Sequence, residues 1–429
     1  MIIGKNIKKM RILIFGHTAF YNTKLSIEET SKGGGWMDTL ILELQNHKEI
    51  HLGLADGCAT IDYKGKMLRK DCQHGMEYYH WPYHTKKLKD KILDFIHYKD
   101  ASRDEKIWPY YLNIYKQVIN DFRPDVIHIF GSEVYLQLAA ISAKGYSAIL
   151  HAQGLLSVCK YLLLPPGFSR WNYILKDGIR MSYANFQDLV SWERGAYREK
   201  AILRSISHVL GRTEWDKNML ELLAPQAKYH YGGELLRPIF YETSHRIIPE
   251  KPVIMTTLSS PLYKGYDLIL KVADILKNHL NIDFEWKVYG GPNAKFIERH
   301  LGIDHNKVNV KICGRVTAEQ IKETICSSTV YFQSSYIENS PNSLAEAQIC
   351  GLPVVASNVG GTSSMVEHGK TGFLYIVTDP YSAAYYIQKL CNSRELNISM
   401  GENAMKEARR RHNVNNIVNE LIDCYKEIM

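Results

Sequence analysis

Short apolar, β-branched runs alternate with amphipathic stretches through most of the chain. "RILIFG" (11–16) precedes "WMDTLILELQNH" (36–47), "DVIHIFG" (125–131) precedes "VYLQLAAISAK" (134–144), and "AILHAQG" (148–154) follows. Runs of the first kind predict buried strands, and stretches with helical periodicity predict the helices that cover them. The alternation restarts after residue 250. Strands are expected in "KPVIMTTLS", "FEWKVYGG" (284–291), "VNVKICG" (308–314), "VYFQSS" (330–335) and "LPVVAS" (352–357), with helices in "YDLILKVADILKN" (266–278) and "AEQIKETICSS" (318–328).

Two such series predict an α/β protein with two doubly wound, Rossmann-like domains, residues 1–240 and 241–410. The proline-bearing stretch "LRPIFYETSHRIIPEKP" (236–252) joins them. Ligands of open α/β sheets collect outside the carboxyl ends of the strands, so two sheets in one chain predict a shared cleft. Residues 411–429 place Val414, Ile417, Leu421, Ile422 and Tyr425 at helical spacing, and a helix packed on the body is expected there.

Length supports the division, because 429 residues exceed what one hydrophobic core usually serves. With 45% hydrophobic and 23% charged residues, the composition is globular. Basic residues exceed acidic ones by eight, which favours anionic partners. Only short clusters occur, at Lys86-Lys87-Leu88-Lys89 and Arg409-Arg410-Arg411, and no nucleic-acid-binding motif accompanies them, so nucleic acid is not expected as a partner. Eight cysteines form no Cys-x-x-Cys pair and several lie in apolar runs, which predicts reduced, buried thiols and a cytoplasmic setting. The apolar part of "MIIGKNIKKMRILIFG" is too short for a signal peptide, and no run reaches the roughly 20 apolar residues of a membrane span. The expectation is a soluble or peripheral protein.

Three loops at strand ends are candidates for binding phosphate. After the first strand, "GHTAFYNTKLSIEETSKGGGWMDTL" runs from His17 through Gly34 and Gly35 into a helix, where backbone amides and the helix dipole favour an anion. The spacing is neither Gly-x-Gly-x-x-Gly nor a P-loop, and a hinge without a ligand is an equal reading. "TTLSSPLYKGYDLIL" (256–270) places Lys264 ahead of a helix, and "VYGGPNAKF" (288–296) ends a strand on Gly290. In "SSYIENSPNSLAEAQICGLPVVAS", Ser340 reads as an N-cap, Pro341 as the first helical residue and Gly351 as the stop, predicting a helix over 341–350. Glu338 then precedes the helix and Glu346 lies in its second turn. A capped helix with two acids and a grip on a sugar nucleotide both fit that pattern.

The segment resembles the donor motif of the family-four retaining glycosyltransferases (glycosyl transferases group 1), which have the GT-B fold. Glu338 and Glu346 stand as its Glu-x7-Glu, followed by Ala347, "GLPVVAS" and "NVGG". "RPDVIHIFG" (123–131), "GGGWMDTL" (33–40), Lys264-Gly265 and "EHGKTGFL" (367–374) are similar to other family segments in the same order. The donor loop reads Glu-Asn-Ser-Pro-Asn, as in one subgroup, in place of Glu-Gly-Phe-Gly. Ser259 stands where the family commonly has an arginine.

The resemblance implies two domains facing across a cleft, with the last helix returning to the first domain. It implies that Glu346 binds ribose hydroxyls and that Glu338 faces the transferred sugar. Asn339, Ser340, Asn342 and Ser343 would hold sugar and phosphates, with Gly290 nearby, and Lys264 with the Gly34 and Gly35 amides would neutralise the departing diphosphate. His151 would face the sugar near the acceptor, and Glu133, Arg212 and His17 are further cleft candidates. The implied activity is retaining transfer from a nucleoside diphosphate sugar to a carbohydrate or lipid-linked acceptor, in surface polysaccharide or glycoconjugate synthesis. No Asp-x-Asp motif occurs, and no cofactor or metal is expected. A sugar-nucleotide epimerase, a phosphorylase and a silent sugar-nucleotide-binding subunit are the alternatives. "YLLLPPGFSRWNYILKDGIRM" (161–181) reads as a core helix followed by a loop or, being apolar, aromatic and basic, as a peripheral contact on the inner face of the membrane.

Overall fold

The computed structural model describes residues 9–17, 35–57, 67–242, 245–291 and 294–429. Fourteen strands among them form two sheets. The first comprises β1 (Met10–Phe15), β2 (Ile50–Gly57), β3 (Arg69–Gln73), β4 (Met76–Trp81), β5 (Val126–Phe130), β6 (Ala148–His151), β7 (His208–Gly211) and β8 (Lys228–Tyr231). Their order is β3-β4-β2-β1-β5-β6-β7-β8, parallel apart from the β3–β4 pair. The second comprises β9 (Val253–Leu258), β10 (Glu285–Gly290), β11 (Val310–Gly314), β12 (Val330–Gln333), β13 (Val354–Ser357) and β14 (Gly372–Tyr375), ordered β11-β10-β9-β12-β13-β14 and wholly parallel.

Helices cover both faces, which is why β1, β5, β12 and β13 read as unbroken apolar runs: every residue of β5, β12 and β13 is buried. In each sheet the strand order reverses about a central pair, β1 with β5 and β9 with β12, and a crevice opens beyond the carboxyl ends at such a reversal.

The pattern along the chain and the observed elements differ at specific points. Strands β2, β3, β4, β7, β8 and β14 lie outside the runs singled out above. β8 reads "KYHY" and none of its residues is buried, while "IHLGLADG" in β2 is broken by glycine, so their apolar signals are weak. The helix expected over 134–144 is a 3-10 turn, Tyr135–Leu138, followed by a short helix, Ala139–Ser142. The core helix expected within 161–181 does not form. That stretch holds only a six-residue helix, Arg170–Leu175, and a 3-10 turn, Ile179–Met181, with Trp171, Leu175 and Ile179 exposed. Of the described cysteines, all free, Cys350 and Cys424 are buried, but Cys72 is exposed.

The helix Val414–Ile428 returns to the first domain. Ile417, Val418, Leu421, Ile422 and Tyr425 enter one apolar cluster with Ile12, Ile14, Val126 and Ile149 of the first sheet. Within it, the Tyr425 hydroxyl lies 2.5 Å from His128 Nδ1. Burial pushes the His128 imidazole down to about 3, so the ring is neutral and its Nδ1 is paired with the tyrosine hydroxyl. Tyr425→Ala should therefore destabilise the protein by about 3–5 kcal/mol. Tyr425→Phe, which removes the partner of His128 Nδ1 and leaves the packing in place, should cost about 1–3 kcal/mol. Urea denaturation followed by tryptophan fluorescence measures both.

Candidate functional site

A cavity of about 800 Å³ lies at the reversal point of the second sheet, closed on one side by Gly35 and Trp36 of the first domain. Two glycines shape the strand ends and loops around it. Gly290, at φ +116, ends β10 so close to β9 that a Cβ would sit 1.9 Å from the Leu258 carbonyl oxygen. Gly265, at φ +75, docks the loop after β9 onto the end of β12, where a Cβ would meet the Ser334 carbonyl oxygen at 2.0 Å. Both require glycine. The second contact brings Lys264 over the loop that follows β12.

Two carboxylates border the cavity, each matched by a cation. Lys264 Nζ donates to Glu338 Oε1, which also accepts from Ser335 Oγ at 2.7 Å. Burial works against the Lys264 charge, but Glu338 outweighs it and holds the ammonium above its ordinary range. Arg237 grips Glu346 with two bonds of 2.8 Å, Nε to Oε1 and Nη2 to Oε2. Burial pushes the Glu346 carboxyl up while Arg237 draws it back, and the net displacement is upward. Between them the helix Asn342–Ile349 begins, its first amides, Asn342 and Ser343, without carbonyl partners inside the helix.

Several expected roles change with the geometry. Pro341, not Ser340, occupies the N-cap position of that helix, and no side chain caps it, because the Ser340 hydroxyl donates to buried Glu234. Asn339 does not present its side chain to the cavity. Its Nδ2 donates to Asp216 Oδ2 at 2.9 Å and to the Gln153 carbonyl at 3.1 Å, and its Oδ1 accepts from Thr213 Oγ1 at 2.7 Å, so the amide spans the two domains. Gly35 borders the cavity, but its N–H donates to Asp38 Oδ2 at 3.0 Å and is not open to an anion; Gly34 lies outside the described residues.

His151 is 1% exposed, packed edge-on against Trp36 and stacked with Phe130 and His128, and burial lowers its basicity far below the imidazole norm. It does not face the cavity, because the Trp36 indole lies against it. Arg212 is also enclosed, 3.3 Å from Glu234 Oε2 and 4.7 Å over the Trp36 ring, and serves a buried charge network rather than the cavity surface. His17 is half exposed at the end of β1, and its Nδ1 lies 2.7 Å from Asp56 Oδ2, a bond that raises its pKa.

Glu133 borders a second, smaller cavity of about 210 Å³ that shares Lys264 and Glu338 with the first. Trp192, Trp215 and Tyr263 also line it. The Glu133 carboxylate accepts from the Ser132 and Gly154 amides at 2.7 and 2.6 Å, and burial nonetheless raises its pKa. Gly290, Asn342 and Ser343 border the larger cavity, with Ser343 Oγ accepting from Tyr331 at 2.8 Å.

The linear pattern missed two cations. Arg237 lies in the stretch read as a connection, 109 residues from Glu346, and Arg315 follows β11 on the cavity wall without a carboxylate partner among the described residues. The serine at position 259 was the available signal: a missing cation had to be supplied from elsewhere, but spacing could not say from where. One group of possible metal ligands occurs among the described residues, Glu298, Asp304 and His305, and it borders neither cavity.

Residues 241–407 match the family model described as Glycosyl transferases group 1. A D-inositol 3-phosphate glycosyltransferase of Corynebacterium kroppenstedtii is 30% identical over 157 residues, 34% of either chain. An N-acetyl-alpha-D-glucosaminyl L-malate synthase of Bacillus anthracis is 28% identical over 111 residues, 26% of this chain and 29% of that one. The matched part thus spans about a third of the length of these curated relatives. Among solved structures, sucrose-phosphate synthase from Thermosynechococcus elongatus superposes with a TM-score of 0.66 at 14% identity, covering 98% of this chain and 99% of that one. Anabaena HepE in complex with UDP and glucose gives 0.59 at 18% identity, covering 97% and 100%. The chain therefore has the GT-B fold, and its residues 241–407 form a glycosyl transferases group 1 domain.

Proposed function

We propose that the protein is a retaining glycosyltransferase that moves a sugar from a nucleoside diphosphate sugar to a carbohydrate or lipid-linked acceptor, in surface polysaccharide or glycoconjugate synthesis, without a metal. One observation carries the reading: the cavity at the strand-order reversal holds two carboxylates, each matched by a cation, on either side of an open helix N-terminus. That sequence of groups complements a ligand with hydroxyls at both ends and a diphosphate between them.

In this reading Glu346 accepts from the ribose hydroxyls, and Arg237 draws its carboxyl toward the ionised form against the effect of burial. The Asn342 and Ser343 amides and Lys264 face the diphosphate. Arg315, which lines the same cavity as Ser259 and has no carboxylate partner among the described residues, supplies the charge that position lacks. As the bond from the anomeric carbon to the diphosphate oxygen breaks, the electron pair goes to the phosphate, and the fixed positive groups stabilise the charge where it develops. The acceptor hydroxyl attacks from the same face, and its proton passes to the departing phosphate oxygen. Glu338, held by Lys264 and Ser335, lies beside the sugar and orients its hydroxyls. The smaller cavity, with three aromatic rings and Glu133 next to Lys264 and Glu338, takes the acceptor.

Glu346→Ala should weaken nucleoside diphosphate binding about 10- to 100-fold in calorimetry, the equivalent of losing about 1.5–3 kcal/mol of charged hydrogen bonds. Glu338→Ala should reduce turnover more than nucleotide affinity. A panel of nucleotide sugars, screened for slow donor hydrolysis with and without EDTA, identifies the donor and tests metal independence; NMR of the product anomer tests retention. Wild-type affinity for nucleoside diphosphates in both variants would overturn the assignment.

Arg237→Met should destabilise the protein in a pH-dependent way. The folded pKa of Glu346 already lies above its unfolded value, so the cost of its charge is absent at low pH and sets in as pH rises through the folded pKa. Without Arg237 that cost grows. The deficit of the variant against the parent should be largest above the folded pKa of Glu346 and shrink as pH falls toward the ordinary carboxylate range in thermal denaturation.

A further inference from the structure

The first domain carries an apolar and basic face outside both cavities. We infer that this face docks on an anionic lipid surface. It is built from the helix Leu88–Ile96 and from residues 160–183, brought together where Phe95 meets Tyr183 and Phe186 with ring centroids 5.9 and 5.4 Å apart. A groove of about 1020 Å³ runs between them, walled by Phe95, Ile96, Trp171 and Ile174. On that wall Trp171 is 71% exposed, and elsewhere on the same two segments Ile179 is 85% exposed, Tyr161 78% and Leu88 73%. Scattered apolar residues on a surface need no explanation, but a contiguous set on two adjoining elements does.

Charge decides what covers the face. Residues 86–99 and 160–183 contain nine lysines and arginines against three aspartates. Asp94 is already held by Lys86, Arg103 and Arg194, and Glu193 on the groove wall by Lys160 and Arg170, while Lys87, Lys89 and Lys91 have no ion pair among the described residues. A second copy of this chain would set one basic face against another. An anionic bilayer instead takes the apolar side chains between its headgroups, seats tryptophan and tyrosine at the interface and attracts the lysines. The helix Leu88–Ile96, with its apolar side chains outward and its lysines beside them, suits that plane.

The face also adjoins the cleft. Leu156 and Cys159 line the smaller cavity, and the chain passes from them straight to exposed Tyr161 and Leu162. A lipid-anchored acceptor held at the face would thus present its headgroup toward Glu133 and Glu338. This last step rests on the proposed transferase reading, whereas the docking itself does not.

The test is sedimentation of the full chain with vesicles of phosphatidylglycerol or of phosphatidylcholine, read without turnover. The chain should bind phosphatidylglycerol vesicles at least tenfold more tightly than phosphatidylcholine ones. Leu175→Ser with Ile179→Ser, and separately Lys89→Glu with Lys91→Glu, should each lower that affinity at least tenfold, with circular dichroism and donor hydrolysis unchanged. Failure of the parent to bind phosphatidylglycerol overturns the inference. So does wild-type vesicle binding by both variants, or a parent dimer in analytical ultracentrifugation that the Leu175/Ile179 variant dissolves. Loss of vesicle binding with donor hydrolysis intact upholds it, and absence of donor hydrolysis in the parent bears only on the transferase reading.

Discussion

Asn339 sits between the two domains with its amide held on three sides, by Asp216, by Thr213 and by the Gln153 carbonyl. One residue on, Ser340 donates to Glu234, whose carboxylate is buried among Arg212, Arg411 and His412. Burial works to raise the Glu234 pKa, but the cations around it and the Ser340 hydroxyl hold it below the carboxylate norm, so it stays charged. These bonds fix the loop between Glu338 and the helix Asn342–Ile349. The glutamates on its two ends inherit their separation and direction from contacts with the first domain as much as from their own helix.

That dependence couples the cavity to the closure of the cleft. Separating the domains would expose the Asn339 amide and part of the Glu234 network, groups that are costly to leave unpaired unless water replaces each partner. Glu338 is tied in as well, since its carbonyl accepts from Gly361 in the "NVGG" turn, and Glu214 of the first domain donates its amide to Ser364 just beyond that turn, both at 3.0 Å. The helix Val414–Ile428 adds a second crossing, clamped on the back of the first sheet through Tyr425 and His128.

Inside the cavity, both carboxylates are paired before any ligand arrives. Lys264 answers Glu338 and Arg237 answers Glu346, so neither carboxylate is buried alone, a state that would cost far more than the pairs gain. Arg237 comes from the connection between the domains, which links the geometry at Glu346 to the same segment that sets the domain orientation. Trp36 plays a comparable part on the other side, lining the cavity with one face of its helix while shielding His151 and stacking under Arg212.

Much of this was legible in the order of residues. Alternating short apolar runs and helical stretches specify parallel sheets covered on both faces, because each pattern buries itself only in that arrangement. Gly265, Gly290 and the Glu-x7-Glu spacing are local enough to read directly, since a strand end, a turn and a helix start fix where their side chains can go. What the chain could not declare were contacts made across long separations. His151 and Asn339 looked available and are enclosed; Arg237 looked like a linker residue and holds Glu346; the apolar run near residue 170 buries Leu163, Phe168 and Tyr173 but turns Tyr161, Trp171, Leu175 and Ile179 outward. A side chain's type and spacing state what it can bond, but which partner reaches it first is settled only when two domains and a returning helix close around it.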